Sequence, residues 1–533
     1  MRAFIRAPLL CAALAAASLG AKALQAQQQP AAPGLPPGVL ALAGGVPLPE
    51  VQRLLLSFLE PLPEAVRDLA APAVLALQLG ARVATGLSLE ELLGTVGGRE
   101  WALAVLPAAG RPELVLAARP GGARGIEDLL GRLRERAAAR WEGEAILIAR
   151  NETVLGALPP HAAAAWLAAA RPGDGEALTL HVDLDRLERE RHGYRNLDAG
   201  GRLLLGPWVA AVEAARTLRV VLRVDGESVR ATAHVDASPL RADLPIRHVL
   251  AAGVATRSVP APAPEAALGL DLDRDLRSFF GHLDTIVRAE DLAGARGALS
   301  TLDLFFGGRS FLDAVLPGLG AFPSLQVLPP EDPADGGDAP RPRLRIPAFV
   351  SVWPAREEGM LEPLARAFHG LLLVAGAERV QRGERAFQVR AEAERDGIRG
   401  HAASLPPWRG VGLPPSGQDV QPTLVGGEGV VVLASATGAA RAAARAARDL
   451  PPVELAGDRL WLRGAPVAAW LEEHVAVLAV QRALDEGERL PQATRVLRAL
   501  AAALNMVQRA ELRARALPEG GSALELEVRR ARS

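Results

Sequence analysis

The chain has 533 residues, with 60 basic side chains against 61 acidic ones, 49% hydrophobic positions and a single cysteine. Such an apolar fraction argues against a disordered chain, and one cysteine against a disulfide scaffold. Balanced charge argues against a nucleic-acid binder, and aromatic residues at 4% leave little for stacking on single strands.

The first residues have the three parts of a signal peptide. Arg2 and Arg6 supply the positive start, Ala7 to Leu19 the apolar run, and Ala21-Lys22-Ala23 a small-x-small cleavage site. Removal of residues 1–23 would take away Cys11 and Lys22, the chain's only cysteine and only lysine. The mature protein is therefore expected to lack a disulfide, a thiolate nucleophile and a thiolate metal ligand. Pro8, Leu9 and Leu10 precede Cys11 where lipidation needs a small residue, so no lipid anchor is expected. Later apolar runs, such as Ala162 to Ala170 and Leu371 to Ala377, are too short to span a bilayer. The expectation is an exported protein, periplasmic or extracellular, without a membrane span in the mature chain.

Residues 24–37, rich in glutamine and proline, read as a flexible leader. A first α+β lobe is expected over residues 38–240. A connection over 241–264 contains Pro260, Pro262 and Pro264 between alanines. A second lobe over 265–533 carries an acidic loop near 329–343. The same order of elements recurs on both sides of that connection. Leu103 to Leu106 is matched by Leu325 to Leu328, and Leu114 to Ala117 by Ala348 to Trp353. A helix over Ile126 to Leu133 is matched by one over Met360 to Phe368. Glu142 to Ile148 is matched by Gly427 to Leu433, each leading into an alanine-rich helix. Ala177 to Leu180 is matched by Arg459 to Leu462. A helix around Trp208 feeds the hairpin Leu218 to Val224 and Val229 to Val235, with Asp225-Gly226 as its central pair. A helix around Leu500 likewise feeds Ala510 to Leu517 and Ala523 to Val528. Strand-period and helix-period segments joined by short turns predict two tandem similar lobes. Each would be a mostly antiparallel sheet with helices packed on one face.

Few residue patterns carry chemistry. Asp183-Leu-Asp185 and Asp271-Leu-Asp273-Arg-Asp275 have the alternation a hard cation requires. A calcium loop counted from Asp271 would place Leu276 at the glycine position and His282 at the glutamate position. Each Asp turn instead follows an apolar strand and precedes a helical stretch, so helix capping is the expected role. The nine histidines form no HExxH and no i, i+4 pair, while His181 and His234 would approach one another if their strands paired. No GxSxG elbow is present, and a phosphate loop ending in GK[ST] cannot form in a mature chain without lysine. Gly427-Glu-Gly429 reads as a turn and Asn151-Glu-Thr153 as a strand-end sequence rather than a glycan acceptor. Arg441, Arg445 and Arg448 would line one face of an alanine helix, expected to be solvated, although anionic headgroups could also use it. No catalytic, cofactor or metal residues are assigned.

Gly426-Gly-Glu-Gly-Val-Val-Val-Leu-Ala-Ser435 and Leu178-Thr-Leu-His-Val-Asp-Leu-Asp-Arg-Leu187 resemble a large, uncharacterised group of exported bacterial envelope proteins with duplicated strand–helix units. The resemblance implies an α+β envelope protein and transfers no catalytic residues. Such proteins open on a clear strand, whereas Val39 to Gly45 here is broken by Gly44-Gly45. The functional expectation is a non-enzymatic scaffold or binding protein whose partner is another envelope protein or an apolar ligand. Its alternatives are a carrier holding lipid between sheet and helices, and a hydrolase using distant carboxylates.

Overall fold

A computed structural model describes residues 35–47, 50, 100–107, 113–120, 137–186, 197–225, 227–237, 257–320, 323–331, 342–357, 359–405, 420–517 and 521–531. The expected signal peptide over 1–23, most of the leader, the helix over Ile126 to Leu133 and most of the 241–264 connection lie outside them. The fold is α+β, with helices beside antiparallel sheets.

The chain divides into two units. The first comprises Met1–His192, Ala211–Ser238 and Glu519–Ser533. Its sheet begins with β1 (Ala41–Gly45), which pairs on one side with β2 (Glu100–Leu106). From β2 the order runs outward through β3 (Glu113–Arg119) and β5 (Ala145–Ala149) to β4 (Ala138–Glu142). On its other side β1 pairs with β6 (Leu178–Asp183), followed by β7 (Thr217–Val224), β8 (Ser228–Val235) and β20 (Ser522–Arg530). Every pairing is antiparallel. The short helices α1 (Glu152–Gly156) and α2 (Ala162–Ala169) cover one face, where Leu42, Ala104, Val115 and Leu147 meet Leu155, Ala163, Trp166 and Leu167. Asn151 begins α1, and its side chain accepts the Val154 N–H at 3.0 Å, which gives that asparagine a capping role.

Gly44 and Gly45 do not break β1. A Cβ at Gly44 would stand 2.6 Å from both the Cβ and the carbonyl oxygen of Ala170, so the bare backbone lets α2 and β2 close on this strand. The expected boundary of the first lobe also changes. Ser522–Arg530 belongs with the first half of the chain, because it pairs with β8 from Ser522↔Val235 to Arg529↔Ser228.

The second unit comprises Gly193–Ala210 and Pro239–Pro518. Its sheet is arranged around β10 (Leu268–Asp271). On one side lie β11 (Ser324–Leu328), β12 (Ala348–Pro354), β16 (Val430–Ala434), β15 (Thr423–Gly427), β14 (Ile398–Ser404) and β13 (Gln388–Arg395). On the other lie β18 (Asp458–Leu462) and β19 (Val507–Ala516). A separate pair joins β9 (Arg257–Val259) to β17 (Val453–Leu455).

Helices pack on both faces of this sheet, not on one as expected. The alternation within β16 shows why. Val430, Val432 and Ala434 face the alanines of α9 (Thr437–Asp449), while Val431 faces α8 (Leu361–Gln381) through Phe368 and Leu372. Buried on both sides, such a strand reads as a continuous apolar run. Two long helices, α10 (Gly464–Glu486) and α11 (Leu490–Asn505), zip together through Leu471, Val475, Leu497 and Leu500.

The β7–β8 turn is displaced by one residue from its expected position. The Asp225 N–H donates to the Ser228 carbonyl at 2.9 Å, so Asp225 stands in the ladder opposite Ser228 and is not a central residue of the turn. Asp225 Oδ1 accepts the Glu227 and Ser228 N–H groups, and Ser228 Oγ donates to Oδ2 at 2.8 Å. Ser228 is therefore part of the turn, not a bystander outside it. Burial works against the Asp225 charge, but the hydrogen bonds from Ser228 and Glu227 and the nearby Arg230 hold its carboxyl below the usual range. A lowered value makes this contribution complete above the unfolded carboxyl's pKa and lost as pH falls through the folded one. Asp225→Ala should lower the urea midpoint at pH 7, and the gap from wild type should close in strong acid. A gap that stays constant down to pH 2.5 would remove the ionised carboxylate from the account.

Candidate functional site

The Asp-rich turn after β10 enters a buried cluster of alternating charges within the second unit. β10 and β18 lie side by side with Asp271 opposite Arg459. Arg459 donates from both Nε and Nη2 to Asp271 Oδ2, at 2.9 and 2.7 Å. The side chain of Asp271 is only 1% exposed, and its Oδ1 has no hydrogen-bond partner among the described residues.

Three residues further on, Arg274 has no exposed side-chain surface. Its five N–H donors meet five acceptors. Nε donates to the Leu203 carbonyl at 2.6 Å, and Nη1 to the Asp273 carbonyl at 3.0 Å and to Asp458 Oδ1 at 2.9 Å. Nη2 donates to the Leu204 carbonyl and to Asp458 Oδ2, both at 2.7 Å. Leu203 and Leu204 end α3 (Ala199–Leu204), and Trp208 in α4 (Gly206–Ala214) donates its indole N–H to the same Asp458 Oδ2. The Asp273 N–H donates to Oδ1 at 2.7 Å. Asp458 thus accepts four hydrogen bonds, the full capacity of a carboxylate. A sharp turn at Gly457, where φ is +83°, delivers Asp458 from β17 into this position.

The third arginine is held differently. Arg257, the first residue of β9, lies with its Nε 3.5 Å from Asp273 Oδ1. That is ionic contact without a hydrogen bond, and Nε, Nη1 and Nη2 are all buried with no partner among the described residues. Burial lowers the Arg257 pKa. Asp273, Asp458 and Asp271 oppose that shift, and Arg274 adds to it. Burial likewise raises Asp273, helped by Asp458 and opposed by Arg257 and Arg274. Between the unfolded carboxyl's pKa and this raised value, the folded chain keeps a proton that the unfolded chain has released. Stability from Asp273 therefore falls as pH rises through that window.

Of the three aspartates in the turn after β10, only Asp275 caps a helix as expected. Its carboxylate accepts the Ser278 N–H at 2.9 Å at the start of α5 (Leu276–Gly281). Asp271 and Asp273 are counter-ions of arginines instead. Asp183 accepts the N–H groups of Asp185 and Arg186, and Arg186 also lies 3.4 Å from its carboxylate.

His181 and His234 do not meet. They stand on either side of Arg219 in one cross-strand row, because β7 lies between β6 and β8. The fold brings together a different pair. His369 of α8 and His401 of β14 stand with ring centroids 4.7 Å apart. Burial, then His369, lowers the His401 pKa against the pull of Glu362. Among the described residues, no group of three or more histidine, cysteine or acidic side chains is placed to hold a metal ion.

The arginine face of α9 is engaged as well as solvated. Arg441 donates to the Ala393 carbonyl at 2.8 Å and to Glu392 at 3.3 Å, Arg448 donates to the Asp396 carbonyl, and Arg445 lies 3.9 Å from Asp396. All three reach the β13–β14 hairpin. No apolar face in the sequence marks that hairpin, because β13 offers only Val389 and two alanines between polar and charged residues and is almost wholly exposed.

Removing one partner of a completed buried pair strands the other. Arg274→Met should destabilise the protein by about 3–5 kcal/mol, most of it from the uncompensated Asp458. Equilibrium unfolding of the single variants and of Arg274→Met/Asp458→Leu checks this, since the double variant should recover much of the loss. No family model matches the chain, and no curated protein matches it significantly.

Proposed function

We propose that this protein is a non-enzymatic binding or scaffold protein of the bacterial cell envelope, exported and built from a duplicated α+β module. The observation that carries the reading is the closure of the Arg274–Asp458 network. A hydrolase built on paired carboxylates needs their oxygens turned toward a substrate, whereas Asp458 has all four acceptor positions filled from within the fold. Polar groups committed in this way stabilise a framework and leave recognition to surfaces.

Duplication is supported by strand order. The first unit runs β4-β5-β3-β2-β1-β6-β7, and the second runs β15-β16-β12-β11-β10-β18-β19 in corresponding places. In each, the central strand pairs with the strand that follows a long connection, and α2 or α9 follows the strand of the same rank. Export is supported by the Arg2, Arg6 and Ala21-Lys22-Ala23 pattern, and membership of the exported envelope group by the resemblance already described.

One observation favours an apolar ligand over a protein partner. On one face of β6, β7, β8 and β20, the register aligns Leu180, Val220, Ala233 and Leu524 in one row and Leu222, Ala231 and Leu526 in the next. These side chains are only half-buried.

Protein recovered from the envelope of an expressing cell should begin at Leu24. After incubation with total envelope extract, mass spectrometry should find a copurifying lipid or protein, and a panel of ester, glycoside and phosphoester substrates should show no turnover. An intact Met1 in the cytosol would remove export, and saturable turnover would remove the non-enzymatic reading.

A further inference from the structure

We propose that Arg257 anchors an interior site for a small oxyanion, where β9 and β17 meet the first residue of β18. This goes beyond the binding-protein reading: it names a second ligand class at a site separate from the apolar face of β6, β7, β8 and β20. The cluster holds three arginines and three aspartates, and two of the three pairs are joined by two hydrogen bonds each, Arg459 with Asp271 and Arg274 with Asp458. The third is not. Asp273 stands 3.5 Å from Arg257 Nε, and the three guanidinium nitrogens are buried with no acceptor among the described residues.

A buried guanidinium without acceptors is costly, and native structures almost always supply them. The contrast with Arg274 is local, since that side chain lies in the same cluster with every donor used. Among the described residues Arg257 finds no acceptor with two oxygens in one plane, the shape that carboxylates, sulfate and phosphate present to the guanidinium fork.

The charges around the site set a condition on binding. Asp273, Asp458 and Asp271 all act on Arg257, and Arg274 is the other cation among its neighbours. With Asp273 ionised, the three pairs are balanced and an incoming anion meets net repulsion. With Asp273 protonated, Arg257 is left uncompensated and the neutral carboxyl can donate to the anion. Burial of Asp273 favours that second state. Binding should therefore tighten as pH falls.

The test measures melting temperature at constant ionic strength with sulfate or acetate in place of chloride, between pH 5.5 and 8. These probes stay anionic across that range and separate tetrahedral from planar oxyanions. At an anion concentration well above its Kd, the wild-type protein should gain about 2–4 °C over chloride where Asp273 is protonated, and less as rising pH ionises it. Arg257→Met should abolish the gain. Asp273→Asn, a neutral isostere, should retain the full gain at pH 8.

An equal gain in Arg257→Met, or no gain over chloride in the wild type, would overturn the site and leave water as the occupant. If Arg257→Met does not fold, Asp273→Asn decides. A gain that still declines toward pH 8 in that variant overturns the proposal, and a pH-independent gain supports it. Failure here leaves the non-enzymatic reading standing, because that reading falls only to substrate turnover.

Discussion

The second unit depends on a constraint that applies to any charge taken out of water. It must meet a counter-charge, and every remaining donor and acceptor must also be paired. Arg274 meets that condition by reaching three parts of the chain at once: the carbonyls that end α3, the backbone just after β10, and the carboxylate that opens β18. None of these segments could shift by a residue without stranding a buried donor. The network thus fixes where β10 ends and where β18 begins, and the positions of Asp271, Arg459, Asp273 and Arg257 follow. Arg459 lies opposite Asp271 because of that register, and Asp273 is held near Arg257 because its backbone is already tied to Asp458.

Alternation along the strands gives the two sheets different faces. In the first unit, β7 places Arg219 and Arg223 on one side and Leu218, Val220 and Leu222 on the other, and Glu176 lies beside both arginines. The charged side continues into β8 and β20, where Arg230 bridges Glu525 and Glu527. In the second unit, β16 packs apolar residues against α9 on one side and α8 on the other. Polarity returns on β18 and β19 with Arg459, Glu511 and Arg513. Ladders of this kind hold register, since a one-residue slip would bring the charged row onto the apolar face.

Much of this architecture was legible in the sequence, and the failures have physical causes. Apolar strands flanked by turns, such as Ala348–Pro354 and Val430–Ala434, announce themselves through composition. Asp275 was readable as a cap because its partner, Ser278, lies three residues away. The partner of Asp271 lies almost two hundred residues along the chain and that of Asp273 on the separate strand β9, and no local pattern encodes either. Gly44 and Gly45 looked like a strand break because sequence shows flexibility but not the close approach of Ala170 and Ala177 that only glycine permits. The same logic applies to Gly269, where a Cβ would fall within the Trp461 ring. Arg441 and Arg448 looked solvated because their partners, Ala393 and Asp396, lie on an exposed strand and the turn after it, with little apolar surface to mark either.

The placement of β20 bears on how the protein comes into being. The outer edge of β8 is paired by Ser522–Arg530, segments that a ribosome emits nearly three hundred residues apart. Through most of synthesis the backbone N–H and C=O groups along that edge have no strand to meet, and an open edge invites pairing with other chains. The first-synthesised sheet is thus the last to be completed.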